Sequence, residues 1–101
     1  MHEVITKFPP GVVIGGLRIA KGNQTVDVTR LRYGSRTRFV EEDTRMGKNG
    51  PRRTKLTQTD DFPSDKIANR FISEWLQGIV DNRKYRIIHQ DEGFTTGKRT
   101  K

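Results

Sequence analysis

Arginine is the residue type in this chain best placed to do chemistry, and its spacing matters more than its abundance. Arg30 and Arg32, Arg36 and Arg38, and Arg53 and Lys55 recur two apart, and Arg18, Lys48 and Arg52 lie in neighbouring stretches. In an extended chain, residues two apart project to the same face. A guanidinium presents a rigid fork of donors that matches a phosphate, so clustered arginines on one surface are chemistry for a polyanion. Such contacts fix a protein on a nucleic-acid backbone without reading its sequence. The whole chain leans the same way. Twenty Lys plus Arg stand against twelve Asp plus Glu, a net charge of +8, which draws polyanions towards the surface.

Other chemistries find little support. With no cysteine, there is no disulfide framework and no thiolate nucleophile or metal ligand. Only two histidines occur, His2 and His89, and neither has a metal-ligating neighbour at helical or strand spacing. Glu41-Glu42-Asp43 and Asp60-Asp61 are the acidic clusters that could hold magnesium. Adjacent acids point to opposite faces of a strand, however, and Asp60-Asp61 precedes a helix, where negative charge is favoured in any case. Gly11 to Gly16 lacks the spacing of a dinucleotide fingerprint, and Gly97-Lys98-Arg99-Thr100 lacks the upstream glycine of a phosphate-binding loop. The sequence therefore predicts a non-enzyme with no catalytic residues, no metal and no cofactor.

The elements that must position the arginines follow from local patterns. Val12–Ala20, Thr25–Tyr33, Arg36–Thr44 and Arg53–Thr59 read as strands, with Gly15-Gly16 marking a bulge. Lys21–Gln24 and Gly34-Ser35 are turns, and Gly47–Pro51 contains an Asn-Gly step suited to a hairpin. After Asp60-Asp61-Phe62-Pro63 the period changes. Ile67, Phe71, Trp75 and Ile79 are spaced by four beside Ala68, Ile72, Leu76 and Val80, predicting an amphipathic helix from about Pro63 to Asp81. Ser64 and Asp65 can cap it. Tyr85–His89 suits a short last strand, and Gly93–Lys101 reads as a basic disordered tail. The expected fold is α+β: an antiparallel sheet of four or five strands with one helix on one face, forming a single domain over residues 1–92. The first ten residues resemble no signal peptide, and no apolar run approaches the roughly 20 residues of a membrane span. A soluble, cytoplasmic protein with no membrane partner is expected.

Parity then assigns the faces. If Leu17, Ile19, Leu31, Tyr33, Phe39 and Leu56 face the helix, then Arg18, Arg30, Arg32, Arg36, Arg38, Arg53 and Lys55 fall on the opposite side. Val26 and Val28 share parity with Arg30, so this arrangement requires a bulge in the second strand near Thr29. With Lys48 and Arg52 from the hairpin, these residues form the candidate nucleic-acid-binding set. The exposed side of the helix carries both charge signs nearly in balance, which disfavours a recognition helix. Tyr33 and Phe39 belong to the core on the same parity argument, and Trp75 belongs to it through the apolar stripe of the helix.

In layout the chain resembles WGR-type nucleic-acid modules, through Tyr33-Gly34-Ser35-Arg36, Phe62, Ala68, Phe71 and Lys84-Tyr85. It also resembles small single-strand-binding coactivator domains that pack four strands against one helix. The tryptophan and glycine-glutamine motif of the first family are missing, and neither likeness extends beyond residues 25–88. The function expected from the residues themselves is nucleic-acid binding, to DNA or RNA, through an arginine-rich sheet face with low sequence specificity. The alternative is a non-enzymatic adaptor or inhibitor that docks the same face on an acidic protein.

Overall fold

A computed structural model describes residues 11–82 and 84–98. Five strands, β1 (Val12–Lys21), β2 (Gln24–Tyr33), β3 (Arg36–Gly47), β4 (Gly50–Gln58) and β5 (Arg86–Gln90), form one antiparallel sheet in the order β4-β3-β2-β1-β5. The helix α1 (Asp65–Asn82) lies against this sheet, and a short helix α2 (Glu92–Thr96) follows β5. The fold is α+β. No helix among the described residues is long and apolar enough to cross a membrane.

Turn chemistry explains the meander. Two-residue connections at Gly22-Asn23 and Gly34-Ser35 join β1 to β2 and β2 to β3, and Gly22 and Gly34 take φ of 60° and 65°. Only glycine adopts that left-handed backbone without a steric penalty. Strand β4 begins at Gly50, inside the expected turn and three residues before the expected start at Arg53, so that Gly47 pairs with Gly50 across Lys48-Asn49.

The face assignment differs from the sequence expectation. The β2–β3 register runs unbroken from Gln24–Arg45 to Tyr33–Arg36. Directly opposed residues share a face, so Val26, Val28, Arg30 and Arg32 line the helix side together with Thr37, Phe39, Glu41 and Asp43. The expected bulge near Thr29 is not there. Register shifts occur instead in β1 between Val13 and Gly15, and opposite Asp43 and Thr44 in β4. In consequence Leu31, Tyr33 and Leu56, expected in the helix-side core, lie on the opposite side. Arg30, Arg32 and Lys55, expected there, lie on the helix side.

The core is built from Leu17, Ile19, Val26, Val28 and Phe39 of the sheet, Ala68 and Ile72 of α1, and Phe94 of α2. Ser64 accepts the Ile67 N–H at 3.3 Å, as a first-turn cap should. Asp65 does not cap; its carboxylate faces the sheet arginines. The apolar stripe of α1 is broader than the surface it covers. Trp75, Leu76 and Ile79 are half-buried, whereas Ile67, Phe71 and Val80 remain 38–48% exposed.

The C-terminal segment departs most from expectation. Gly93–Lys98 is no disordered tail: Gly93 and Phe94 are buried, and Phe94 is fully enclosed. Residues 99–101 of the expected tail lie outside the described residues. Close approach demands glycine here, since a Cβ at Gly93 would collide with the carbonyl oxygens of Ile14 and Lys98. Asp91 anchors the segment to β1, accepting the Gly16 N–H at 2.9 Å while its own N–H donates to Gly16 O at 3.0 Å.

Candidate functional site

Most of the sequence-predicted cations are occupied within the fold. Arg30 is fully buried on the helix side, where Nη1 donates to Phe94 O at 3.0 Å and Nη2 to Asp65 Oδ1 at 3.1 Å. Its guanidinium also stacks over Phe39, 5.4 Å from the ring centre. Burial pushes the Arg30 pKa down, opposed by the Asp65 charge. Arg32 Nη2 donates to Asp65 Oδ2 at 2.5 Å and to Gly97 O at 2.6 Å. Asp65, held by both guanidiniums and by the Thr37 hydroxyl at 3.3 Å, sits below the usual carboxylate range, with the Arg32 hydrogen bond the main cause. These two arginines join the sheet to the start of α1 and to the C-terminal segment.

On the other face, Arg38 donates to Asp61 at 2.7 Å and to Gln58 at 3.0 Å. The Tyr33 hydroxyl donates to the same Asp61 oxygen at 2.6 Å, and its ring lies 5.6 Å from the Arg38 guanidinium. Arg36 reaches Asp61 at 4.0 Å. The Tyr33 and Arg38 bonds hold the Asp61 carboxyl below its ordinary value. Arg18 pairs with Asp27 at 2.7 Å and Arg53 with Glu42 at 3.6 Å. The single continuous arginine face expected from parity is therefore split between two sides of the sheet, and much of it is neutralised locally.

One region differs. At the β3–β4 hairpin, Arg45, Lys48, Arg52 and Lys55 are exposed and form no ion pair or side-chain hydrogen bond among the described residues. Arg45 and Arg52 stand directly opposite each other across the strands. Like charges in that position destabilise a hairpin. Arg45, Gly47, Arg52, Arg53 and Thr54 line a shallow recess of about 390 Å³. Lys48, Arg52, Arg53 and Lys55 were in the predicted set. Arg45 was missed, though it shares strand β3 with Arg36 and Arg38 near its hairpin end.

No family, curated protein or solved structure matches the chain.

A second grouping escaped the sequence reading. Glu41 and Asp43 are two apart on β3 and share the helix side with Phe39, so the parity argument applied to neighbouring acids passed over the pair that matters. Glu41 is half-buried at the edge of α1, and Asp43 is only 8% exposed with Oδ1 lacking a hydrogen-bond donor. Burial, with the neighbouring Asp43 carboxyl adding to it, raises the Glu41 pKa from 4.5 to about 7.

A measurable pH dependence follows. Because the folded-state pKa of Glu41 lies above its ordinary value, its stabilising contribution is full below about 4.5 and is lost as pH rises through about 7. At about 1.4 kcal/mol per unit, the loss has a ceiling of about 3 kcal/mol. Asp61 and Asp65 act in the opposite sense. Their lowered values contribute stability above the ordinary 3.8 that is lost as pH falls through the folded-state values. Thermal melts between pH 3 and 9 should show a mildly acidic optimum, and Glu41→Gln should flatten the alkaline limb. A variant curve that parallels wild type above pH 5 would assign that limb to another group.

Proposed function

We propose that this protein is a non-enzymatic nucleic-acid-binding module that engages the phosphate backbone through the β3–β4 hairpin. The observation that carries this reading is the Arg45–Arg52 pair, two like charges directly opposed and without a carboxylate partner among the described residues. Arg18, Arg30, Arg32, Arg36, Arg38 and Arg53 of the sheet meet Asp27, Glu42, Asp61 and Asp65. A folding role accounts for those pairs, whereas folding alone disfavours opposed arginines at an exposed hairpin. Lys48 at the tip and Lys55 further along β4 extend the same positive surface. Contacts of this kind are insensitive to base sequence, since they go to phosphate. The proposed set is thus Arg45, Lys48, Arg52 and Lys55, and the expected roles of Arg18, Arg30, Arg32, Arg36, Arg38 and Arg53 pass largely to structure.

The salt dependence of binding tests this reading. Each neutralised phosphate contributes about 0.9 to the slope of log affinity against log salt for duplex, and about 0.7 for single strands. Contacts from Arg45, Lys48, Arg52 and Lys55 should therefore give a slope of about −3 to −4. Replacing Arg45 and Arg52 by Gln should weaken binding to unrelated sequences alike and make the slope shallower by about one to two. Lys66→Gln with Arg70→Gln removes the same net charge from α1 and should do much less. Equal losses from both double variants would mean that only net charge matters. Failure to bind either DNA or RNA at low salt would sink the proposal and leave an acidic protein as the partner for this hairpin.

A further inference from the structure

The sheet has two outer strands, β4 and β5, and their chemistry differs. Strand β4 carries Pro51, which has no N–H to offer a neighbour, together with Arg52, Arg53 and Lys55. Proline and like charges guard an edge against pairing with its own kind. Strand β5 reads Arg-Ile-Ile-His-Gln, has no proline, and holds its one permanent charge, Arg86, at its first position. All five of its residues are exposed, with Ile87 at 44% and Ile88 at 48%. Charge is polarised along it. Lys84 and Arg86 stand at its entry and Asp91 and Glu92 just past its exit. Lys84, Arg86 and Glu92 form no ion pair among the described residues. The Gly16 N–H and His89 hold the Asp91 carboxyl below its ordinary value, so it is charged at neutral pH, and its side chain is 46% exposed. A strand that is basic at one end, apolar in the middle and acidic at the other complements a copy of itself run in reverse.

We propose that the protein forms a homodimer by antiparallel pairing of β5 with β5 of a second copy, joining the two sheets edge to edge. A bulge sets the register. Ile87 pairs with Ile19 and His89 with Arg18, so Ile88 is the extra residue of β5. Ile87 and Gln90, three apart, therefore share the helix side with Ile19 and Leu17, while Arg86 lies on the other side with Ala20. Opposed residues must share a face. A two-fold axis between Ile88 and His89 meets that condition, setting Ile87 against Gln90 and Arg86 against Asp91 of the second copy. The Arg86–Asp91 contact then occurs twice. Such an interface is isologous and closes at two copies, and growth through the other edge is opposed by Pro51 and the β4 cations. Paired strands of this length bury less than the roughly 1,600 Å² of a standard interface, so the dimer is weak. It does not depend on nucleic-acid binding, although it places the two β3–β4 hairpins at the far ends of the joined sheet.

Sedimentation velocity of nuclease-treated protein, from about 20 μM to about 1 mM, should show the average mass rising from monomer towards dimer and no further. Amide hydrogen exchange should slow with concentration in β5 and stay unchanged in β4. Ile88→Lys puts a charge in the middle of the paired strands at a site the fold leaves exposed, and should raise the dissociation constant at least about tenfold. Arg86→Glu sets acid against Asp91 and should weaken the dimer too, as should added salt in the wild-type protein. Ile67→Lys on α1, also 48% exposed, should dimerise like wild type. Circular dichroism checks that each variant keeps the fold. The proposal is overturned by a monomer mass across the whole range, by assembly beyond the dimer, or by slowed exchange in β4. Wild-type dimerisation in a folded Ile88→Lys variant would overturn it as well. An equal loss in Ile67→Lys would move the interface to α1 and overturn the pairing of β5.

Discussion

Replacing Phe94 with alanine is expected to lower the stability of the protein by about 3–5 kcal/mol, the range for truncating a large buried aromatic side chain. The ring is fully enclosed and packs edge-on against Phe39 with centroids 5.7 Å apart and planes at 69°. It fills the core between Leu17, Val28 and Ile72, so its loss leaves a cavity under α1. The position matters for a second reason. The Phe94 carbonyl accepts a hydrogen bond from the buried Arg30 guanidinium, and a loosened segment would leave that donor without its partner. Denaturant unfolding should show the loss as a lower midpoint, with Phe71→Ala as a control costing clearly less because Phe71 is 38% exposed. An unchanged midpoint for Phe94→Ala would mean that the segment after β5 adds nothing to the folded state.

That residue also shows where the sequence stops being legible. Gly93 to Lys101 has the composition of a solvated tail, and one phenylalanine sets no period. Its burial is decided by strands far away in the chain, through the close approach at Gly15 and Gly93. Hairpins and the main helix were readable because their causes are local: glycines with positive φ fix the turns, and a four-residue apolar spacing fixes α1. Arg30 was an avoidable error. Val26, Val28 and Arg30 share parity on one strand, and a bulge near Thr29 is required only when Leu31 and Tyr33 are taken to face the helix; without it Arg30 is buried, which is costly for an arginine considered alone. Its partner, Asp65, lies 35 residues on and was assigned to capping the helix, so the compensation was invisible. The acids of β3 failed differently. Attention to neighbours concealed Glu41 and Asp43, which fall on Phe39's side by the same rule that placed the arginines. The hairpin cations were found in part, but which arginines are free depends on where Asp27, Glu42, Asp61 and Asp65 end up in space.

The Arg30–Asp65 junction supports the other large prediction, and its content is an asymmetry. Removing one member of a buried ion pair costs about 3–5 kcal/mol because the remaining charge stays buried without compensation. Asp65→Ala should reach that range. It strips the carboxylate from Arg30, which has no exposed surface with which to recover solvation, and from Arg32, which is 29% exposed. Arg30→Met reverses the situation. The methionine keeps much of the packing volume against Phe39 and Phe94, while Asp65 is 46% exposed and retains Arg32 and Thr37 as donors. Its expected cost is therefore smaller, and it also removes a buried Arg30 Nε that has no partner among the described residues. With Arg30→Met in place, Asp65→Ala should become less damaging than in the wild-type background, since the charge it would strand is gone. Denaturant midpoints for the two single variants and the double variant measure this coupling directly. Equal costs for the single variants, with strict additivity in the double, would show that the pair acts as two independent surface contacts rather than as a buried charge with an exposed partner.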